Sequence, residues 1–170
     1  MTTAPAVPAR SHRLVPTRLG TYVLAAGDDG LVGVWRQDQK HFPAPARLGG
    51  RDHGDHPVLE QAEDQLQQYL AGEREDFRLP LAPAGTDFQR AVWDHLLTVP
   101  RGTTTPYGRI AAALGRPRAA QAVGAAVGSN PLSIVVPCHR VVGSTGAMTG
   151  YAGGIETKQA LLLLEGALLA

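Results

Sequence analysis

Ile134-Val135-Val136-Pro137-Cys138-His139-Arg140-Val141-Val142 holds the only cysteine of the 170-residue chain, followed directly by histidine and set between two β-branched runs. Ile134 to Val136 has the composition of a short buried strand. Pro137 has no amide hydrogen, so it denies that strand its next ladder bond and ends it. The thiol is therefore expected where a strand runs out, a position from which a rigid scaffold can present a reactive group. A free cysteine can equally be a small buried hydrophobe without chemistry. The rest of the chain decides between the two.

The length suits one or two small domains with a real core, and the 44% apolar fraction is that of a globular protein. One cysteine allows no internal disulfide and no multi-cysteine zinc site, which suits a reducing cytosol. Arg10, Arg13 and Arg18 interrupt the N-terminus, and no apolar run is long enough for a span, so a cytoplasmic protein without membrane attachment is expected. Residues 1–85 carry nine basic and eleven acidic side chains, whereas residues 86–170 carry seven and four. A mildly basic C-terminal half is compatible with phosphate contact and does not establish it.

Residues 1–13, rich in Thr, Ala and Pro, read as a flexible tail. An N-terminal α/β domain is expected over 14–80. Thr21 to Ala25 and Leu31 to Trp35, around Gly27-Asp28-Asp29-Gly30, carry the signal of a β-hairpin. His41, His53 and His56 lie in irregular sequence without ligand spacing, and no metal site is expected. Pro57 to Ala71 reads as an amphipathic helix with Leu59, Ala62, Leu66, Tyr69 and Leu70 on one face. Phe77 to Leu81 could be an edge-like strand, and residues 81–85 read as a linker.

The second domain, 86–170, opens on a capping box, Thr86 with Gln89, ahead of a helix carrying Phe88, Val92, Trp93 and Leu96. A second helix is expected from a Thr105 cap and Pro106 through Leu114, and a third from about Pro117 to Val127, ending at Gly128. This is a helix-turn-helix pattern, although an ordinary helical hairpin has the same outline. The third helix is rich in small residues, and Arg116 and Arg118 sit at its start, where helix amides favour a phosphate. A glycine-dense loop follows the cysteine stretch. The last helix, Ile155 to Leu169, should send Leu161 to Leu164 into the core. Glu165 within that run needs a partner if buried.

A thiol is only a few per cent thiolate at neutral pH, so a nucleophilic Cys138 needs a base. His139 is adjacent, but neighbours in extended chain point apart, so a turn or a bridging water is required. Glu165 is the carboxylate best suited to orient the imidazole.

These residues, with others, resemble the O6-alkylguanine-DNA alkyltransferases. The resemblance rests on Pro137-Cys138-His139-Arg140-Val141, on Gly85-Thr86-x-Phe88-Gln89-x-x-Val92-Trp93 and on Pro100-x-Gly102-x-Thr104-x-x-Tyr107. Ala122-Val123-Gly124, Asn130-Pro131 and Gly150-Tyr151-x-Gly153-Gly154 extend it. It covers residues 85 to 166 closely and the N-terminal half more loosely. It implies an α/β (α+β) fold: an N-terminal sheet-and-helix domain of RNase H-like type, then a mainly helical C-terminal domain with the helix-turn-helix.

The resemblance also implies roles. Cys138 takes the alkyl group, His139 acts as its base through a water, Glu165 holds His139, Asn130 braces the site's turn, and Tyr107 donates a hydrogen bond to the departing guanine. The carbonyls of Cys138 and Val141 read the exocyclic amine, Tyr151 and Ala152 close over the base, and Ser133 lies against the alkyl group. Arg116, Arg118, Gln121, Ala122, Gly124 and Arg140 face DNA, with the third helix in the minor groove of a duplex and the lesion flipped out. Transfer gives a thioether, which water does not cleave, so each molecule, a monomer or a cooperative array on DNA, acts once and without a cofactor. O4-alkylthymine is a second substrate class in such proteins.

The sequence departs from the pattern at Gln121, where most members carry an arginine that fills the gap left by the extruded base. Glutamine lacks its charge and planar stacking surface, which predicts slower or weaker repair of duplex DNA than of a free or single-stranded lesion. Pro106 stands where serine is common, and Ser133 replaces a proline some relatives use against bulky groups. Two alternatives stay open: a non-enzymatic lesion binder, a class that replaces the cysteine, and a cysteine hydrolase using Cys138 and His139.

Overall fold

The computed structural model describes residues 10–169; the part of the expected tail before Arg10 lies outside them. Three strands, β1 (Ser11–Thr17), β2 (Gly20–Gly27) and β3 (Gly30–Arg36), form an antiparallel meander, and the short β4 (Gly50–Arg51) adds parallel to β1. The expected hairpin is β2–β3, closed by Asp28-Asp29 with Gly30 at a φ of 141°. Ser11 to Arg13, expected in the tail, begin β1. Alternation along β2 splits the faces: Tyr22, Leu24 and Ala26 join the main core, while Val23 and Ala25 pack with Trp35 on the other side.

Helix α1 (Pro57–Leu70) covers the first face, and all five apolar residues expected on its inner side are buried. Beyond it, Phe77 to Leu81 forms no strand; only Leu81 bridges to Leu31. The proline at 80 leaves its carbonyl free to accept from Leu31 N at 2.8 Å, and Ala82 N donates back to Leu31 O.

The C-terminal domain begins with α2 (Asp87–Leu96), whose capping box has both bonds: Gln89 N donates to Thr86 Oγ1, and Thr86 N donates to Gln89 Oε1. Thr105–Pro106 is a two-residue strand, β5, paired in parallel with β6 (Val141–Val142), so α3 (Tyr107–Ala113) starts after the expected cap. Helix α4 (Ala120–Gly128) also starts late: a turn precedes it, closed by Ala119 N donating to Arg116 O at 2.9 Å, with Pro117 at the turn's second position. The last helix, α5 (Ile155–Leu164), ends with Glu165 as its C-cap, earlier than expected, and Leu163 points outward at 42% exposure.

The outer edge of β3 joins the domains. Besides Leu81, it accepts Leu132 in a parallel bridge, with Val34 N donating to Pro131 O at 2.8 Å and Ser133 N to Val34 O at 3.2 Å. The segment leading to the cysteine is thus fixed to the N-terminal sheet.

Candidate active site

Ile134 to Val136 is not a strand. Val136 N donates back to Leu132 O and Val135 N to Ser133 O, a tight turn in which Ile134 takes a φ of 72°. Positive φ is rare for a β-branched residue and persists only where surroundings enforce it. Asn130 does so: its Oδ1 accepts from Leu132 N at 3.0 Å and its Nδ2 donates to Val136 O at 2.9 Å. The three residues are buried because they sit between the domains, which gives them the composition of a strand without the pairing.

Pro137 leads into a single 3-10 turn, Cys138–Arg140, and the chain then enters β6. On this turn neighbouring side chains diverge. Cys138 lies on the wall of a cavity of about 40 Å³ shared by Tyr107, Asn130, Ser133, Tyr151 and Ala152. His139 points into the protein and is fully buried. Among the described residues no hydrogen bond joins the thiol to the imidazole, so the turn alone does not put them in contact.

His139 Nε2 lies 2.6 Å from Glu165 Oε1. Burial favours a neutral Glu165, but hydrogen bonds from His139, Arg140 and Tyr69 outweigh it and lower its pKa to about 2. An ionised carboxylate only accepts, so Nε2 carries the hydrogen and Nδ1 of the neutral ring is the basic nitrogen. Nδ1 is buried without a protein partner. Burial lowers the His139 pKa against the opposing pull of Glu165, so the ring is neutral and able to accept a proton. Burial pushes the Cys138 thiol up, with the Asn130 amide and Lys158 ammonium opposing.

Arg140, expected to face DNA, is instead 8% exposed and turned inward. Its Nε donates to Glu165 Oε2 at 2.9 Å, Nη2 to Oε1 at 3.0 Å and Nη1 to Val99 O at 2.7 Å. A forked guanidinium matches a carboxylate bidentately, and here it offsets the buried charge of Glu165.

Tyr107 OH meets Thr149 Oγ1 at 2.9 Å, so it already touches the glycine-dense loop. Lys158, 1% exposed, donates to Thr149 O at 3.1 Å and to Val141 O at 2.5 Å. Arg36 reaches from β3 to Gly153 O at 2.9 Å and Thr157 Oγ1 at 3.1 Å. Lys158, Thr149, Arg36 and Tyr69 are absent from the sequence-derived site. Only Lys158 carried a local signal: seven residues before Glu165 on one helix, it shares that residue's inner face.

Tyr107, Asn130, Gly124, Tyr151 and Ala152 also line a wider groove of about 960 Å³, so the small cavity lies at its base. On α4, Gln121 and Ala122 are exposed, while Gly124 faces Tyr107, with room for a Cβ at 3.8 Å from the ring. Arg116 and Arg118 are exposed before the helix, Arg116 lying 5.4 Å over the Phe88 ring. Ser133 is buried on the cavity wall, and Val141, fully buried, is not part of its lining. No described group of three His, Cys, Asp or Glu side chains converges as metal ligands do, and no described helix is long and apolar enough to cross a membrane.

Residues 87–167 match the model of the 6-O-methylguanine DNA methyltransferase DNA-binding domain, and residues 11–83 match that of the family's ribonuclease-like domain. The chain belongs to the 6-O-methylguanine DNA methyltransferase family. Among its relatives is the methylated-DNA–protein-cysteine methyltransferase of Mycobacterium tuberculosis, 44% identical over 156 residues, covering 91% of each chain. The constitutive Bacillus subtilis methyltransferase of the same name is 42% identical over 150 residues, covering 88% of this chain and 91% of that protein. The M. tuberculosis protein solved in complex with DNA aligns with a TM-score of 0.84 at 44% identity, covering 91% of this chain and 92% of that one. Fold and family agree with the sequence resemblance in both domains.

Proposed function

We propose that this chain repairs alkylated DNA by moving the alkyl group of O6-alkylguanine, O6-methylguanine first, to Cys138. One observation carries the assignment of roles. Glu165 holds the Nε2 hydrogen of His139, so the base is Nδ1, which is buried and has no protein partner. His139 takes the thiol proton through a water, and the sulfur attacks the alkyl carbon. The S–C bond forms as the C–O6 bond breaks, and its electron pair returns to the guanine. Tyr107 supplies a hydrogen bond to that base, which gains the proton the thiol lost, so the products are a thioether and neutral guanine.

Asn130 holds the turn, Ser133 borders the alkyl group, and Tyr151 and Ala152 close over the base. The lesion reaches this cavity from a duplex whose minor groove receives α4. Gln121, Ala122 and Gly124 form its contact face, Arg116 and Arg118 its phosphate contacts. The family names of the relatives and the DNA complex of the M. tuberculosis protein support this reading. Intact mass after incubation with an oligonucleotide carrying O6-methylguanine tests it. One added methyl, mapped to Cys138 and lost in Cys138→Ala, is expected; binding without a mass change overturns it in favour of a lesion binder, and repeated turnover in favour of a hydrolase.

A further inference from the structure

Glu165 has a partner from the other domain. Tyr69, in the last turn of α1, lies 96 residues away in sequence, and its hydroxyl bonds the same oxygen, Oε1, that His139 Nε2 contacts. Both residues are buried, Tyr69 at 1% and Glu165 at 4% exposure. The direction of this bond follows from its neighbours. Arg140 Nη2 lies 3.3 Å from the same hydroxyl and can only donate, while the carboxylate can only accept. The tyrosine hydrogen therefore points at Oε1. Packing holds the ring there: Phe77 stacks at 4.8 Å between centroids and the Arg101 guanidinium sits 6.0 Å over its face.

We infer that Tyr69 is a positioning residue for alkyl transfer, with which the N-terminal domain sets the basicity of His139 through the shared oxygen of Glu165. The inference rests on the proposed function. A donor on Oε1 draws negative charge from the oxygen that steadies the imidazolium. With Tyr69 present His139 is therefore less basic than it would be over a bare carboxylate. The hydroxyl stays a donor at working pH, since burial, and then the Glu165 charge, push its pKa up to about 12. The other ionisable groups facing this centre are Arg140, Lys158 and Tyr151 from the C-terminal domain and Arg101 beside the tyrosine ring. All are left in place by the test.

The readout is the pH dependence of single-turnover methyl transfer from an O6-methylguanine oligonucleotide to Cys138, followed by intact mass. Transfer falls at low pH as His139 takes a proton from solvent. In Tyr69→Phe the midpoint of that fall should move up by about half a pH unit, the scale of one hydrogen bond. Phe77→Leu, which loosens the same packing and keeps the hydroxyl, should lower the melting temperature and leave the midpoint alone. Replacing Tyr69 by 3-fluorotyrosine strengthens the donor and should move the midpoint down; this arm decides the matter if Tyr69→Phe does not fold. Unmoved midpoints in the Tyr69 variants, or an equal shift in Phe77→Leu, overturn the inference while the parent protein still methylates. A parent protein that accepts no methyl overturns the proposed function itself, and the inference with it.

Discussion

Lys158 and Val141 are joined by a 2.5 Å hydrogen bond from a buried ammonium to a main-chain carbonyl, and the same ammonium holds Thr149 O. One side chain thus ties the rigid strand after the cysteine to the loop that borders the cavity. Burial lowers the Lys158 pKa, opposed by Cys138, and Lys158 in turn opposes the rise of the thiol.

Lys158→Met keeps the length of the side chain and removes its charge. The Cys138 pKa should rise further, since the cation that opposes its rise is gone. The alkaline limb of the transfer profile is then expected to move up by about half a unit to one unit. Hydrogen exchange should also quicken across residues 147–154 as the loop loses its tether. Stopped-time mass spectrometry and peptide-level exchange check the two outcomes.

Acid should destabilise the protein in two steps. His139 has a folded pKa below its ordinary value, so the unfolded chain binds more protons below about pH 6.5 and stability declines from there. Glu165 is also depressed, from 4.5 to about 2, so its contribution is complete above pH 4.5 and lost as pH falls toward 2. That second step is worth about 3 kcal/mol. Urea titrations between pH 7 and 2 measure both, and Glu165→Gln should abolish the lower step. The same variant leaves Arg140 buried beside a neutral amide, at a cost of about 3–5 kcal/mol.

Gln121 is exposed on the first turn of α4, free to meet a duplex. Gln121→Arg should speed methyl transfer from duplex DNA several-fold while leaving transfer from free O6-methylguanine unchanged. Equal duplex rates in the two proteins would remove Gln121 from the account of how the lesion is reached.

Asn130→Asp keeps the acceptor for Leu132 N and loses the donor to Val136 O. It also sets a carboxylate against a carbonyl next to the thiol. A loss of about 2–3 kcal/mol in stability and a slower transfer are expected. Asn130→Gly should lose the stability without the added charge penalty on the thiol. Denaturation and transfer rates on the pair separate the two effects.

Elements whose causes are local were legible in the sequence. The hairpin is written in its Asp-Gly turn, α1 in its apolar spacing, and α2 in a cap whose partners are three residues apart. Ile134 to Val136 misled because burial between domains demands the same residues as burial in a sheet; what bends them is Asn130, acting through the main chain. Arg140 misled because a charge in a motif does not say which way it faces. Its orientation is settled by Glu165, which lies 25 residues on. Cys138, His139 and Glu165 could be assembled from chemical need. Tyr69 could not, since a tyrosine on the inner face of a helix reads as packing until its hydroxyl finds a partner in the other domain.

The capped edge of β3 bears on what counts as a unit of this protein. The two family domains occupy separate stretches of the chain, 11–83 and 87–167, yet Leu132 and Ser133 complete the first domain's sheet, and Tyr69 completes the second domain's buried carboxylate. Each half ends in donors and acceptors whose partners belong to the other. The halves should therefore melt in one transition, and residues 86–170 alone should lose the turn that presents the thiol. The boundary visible along the chain should then leave no separate step in the unfolding curve.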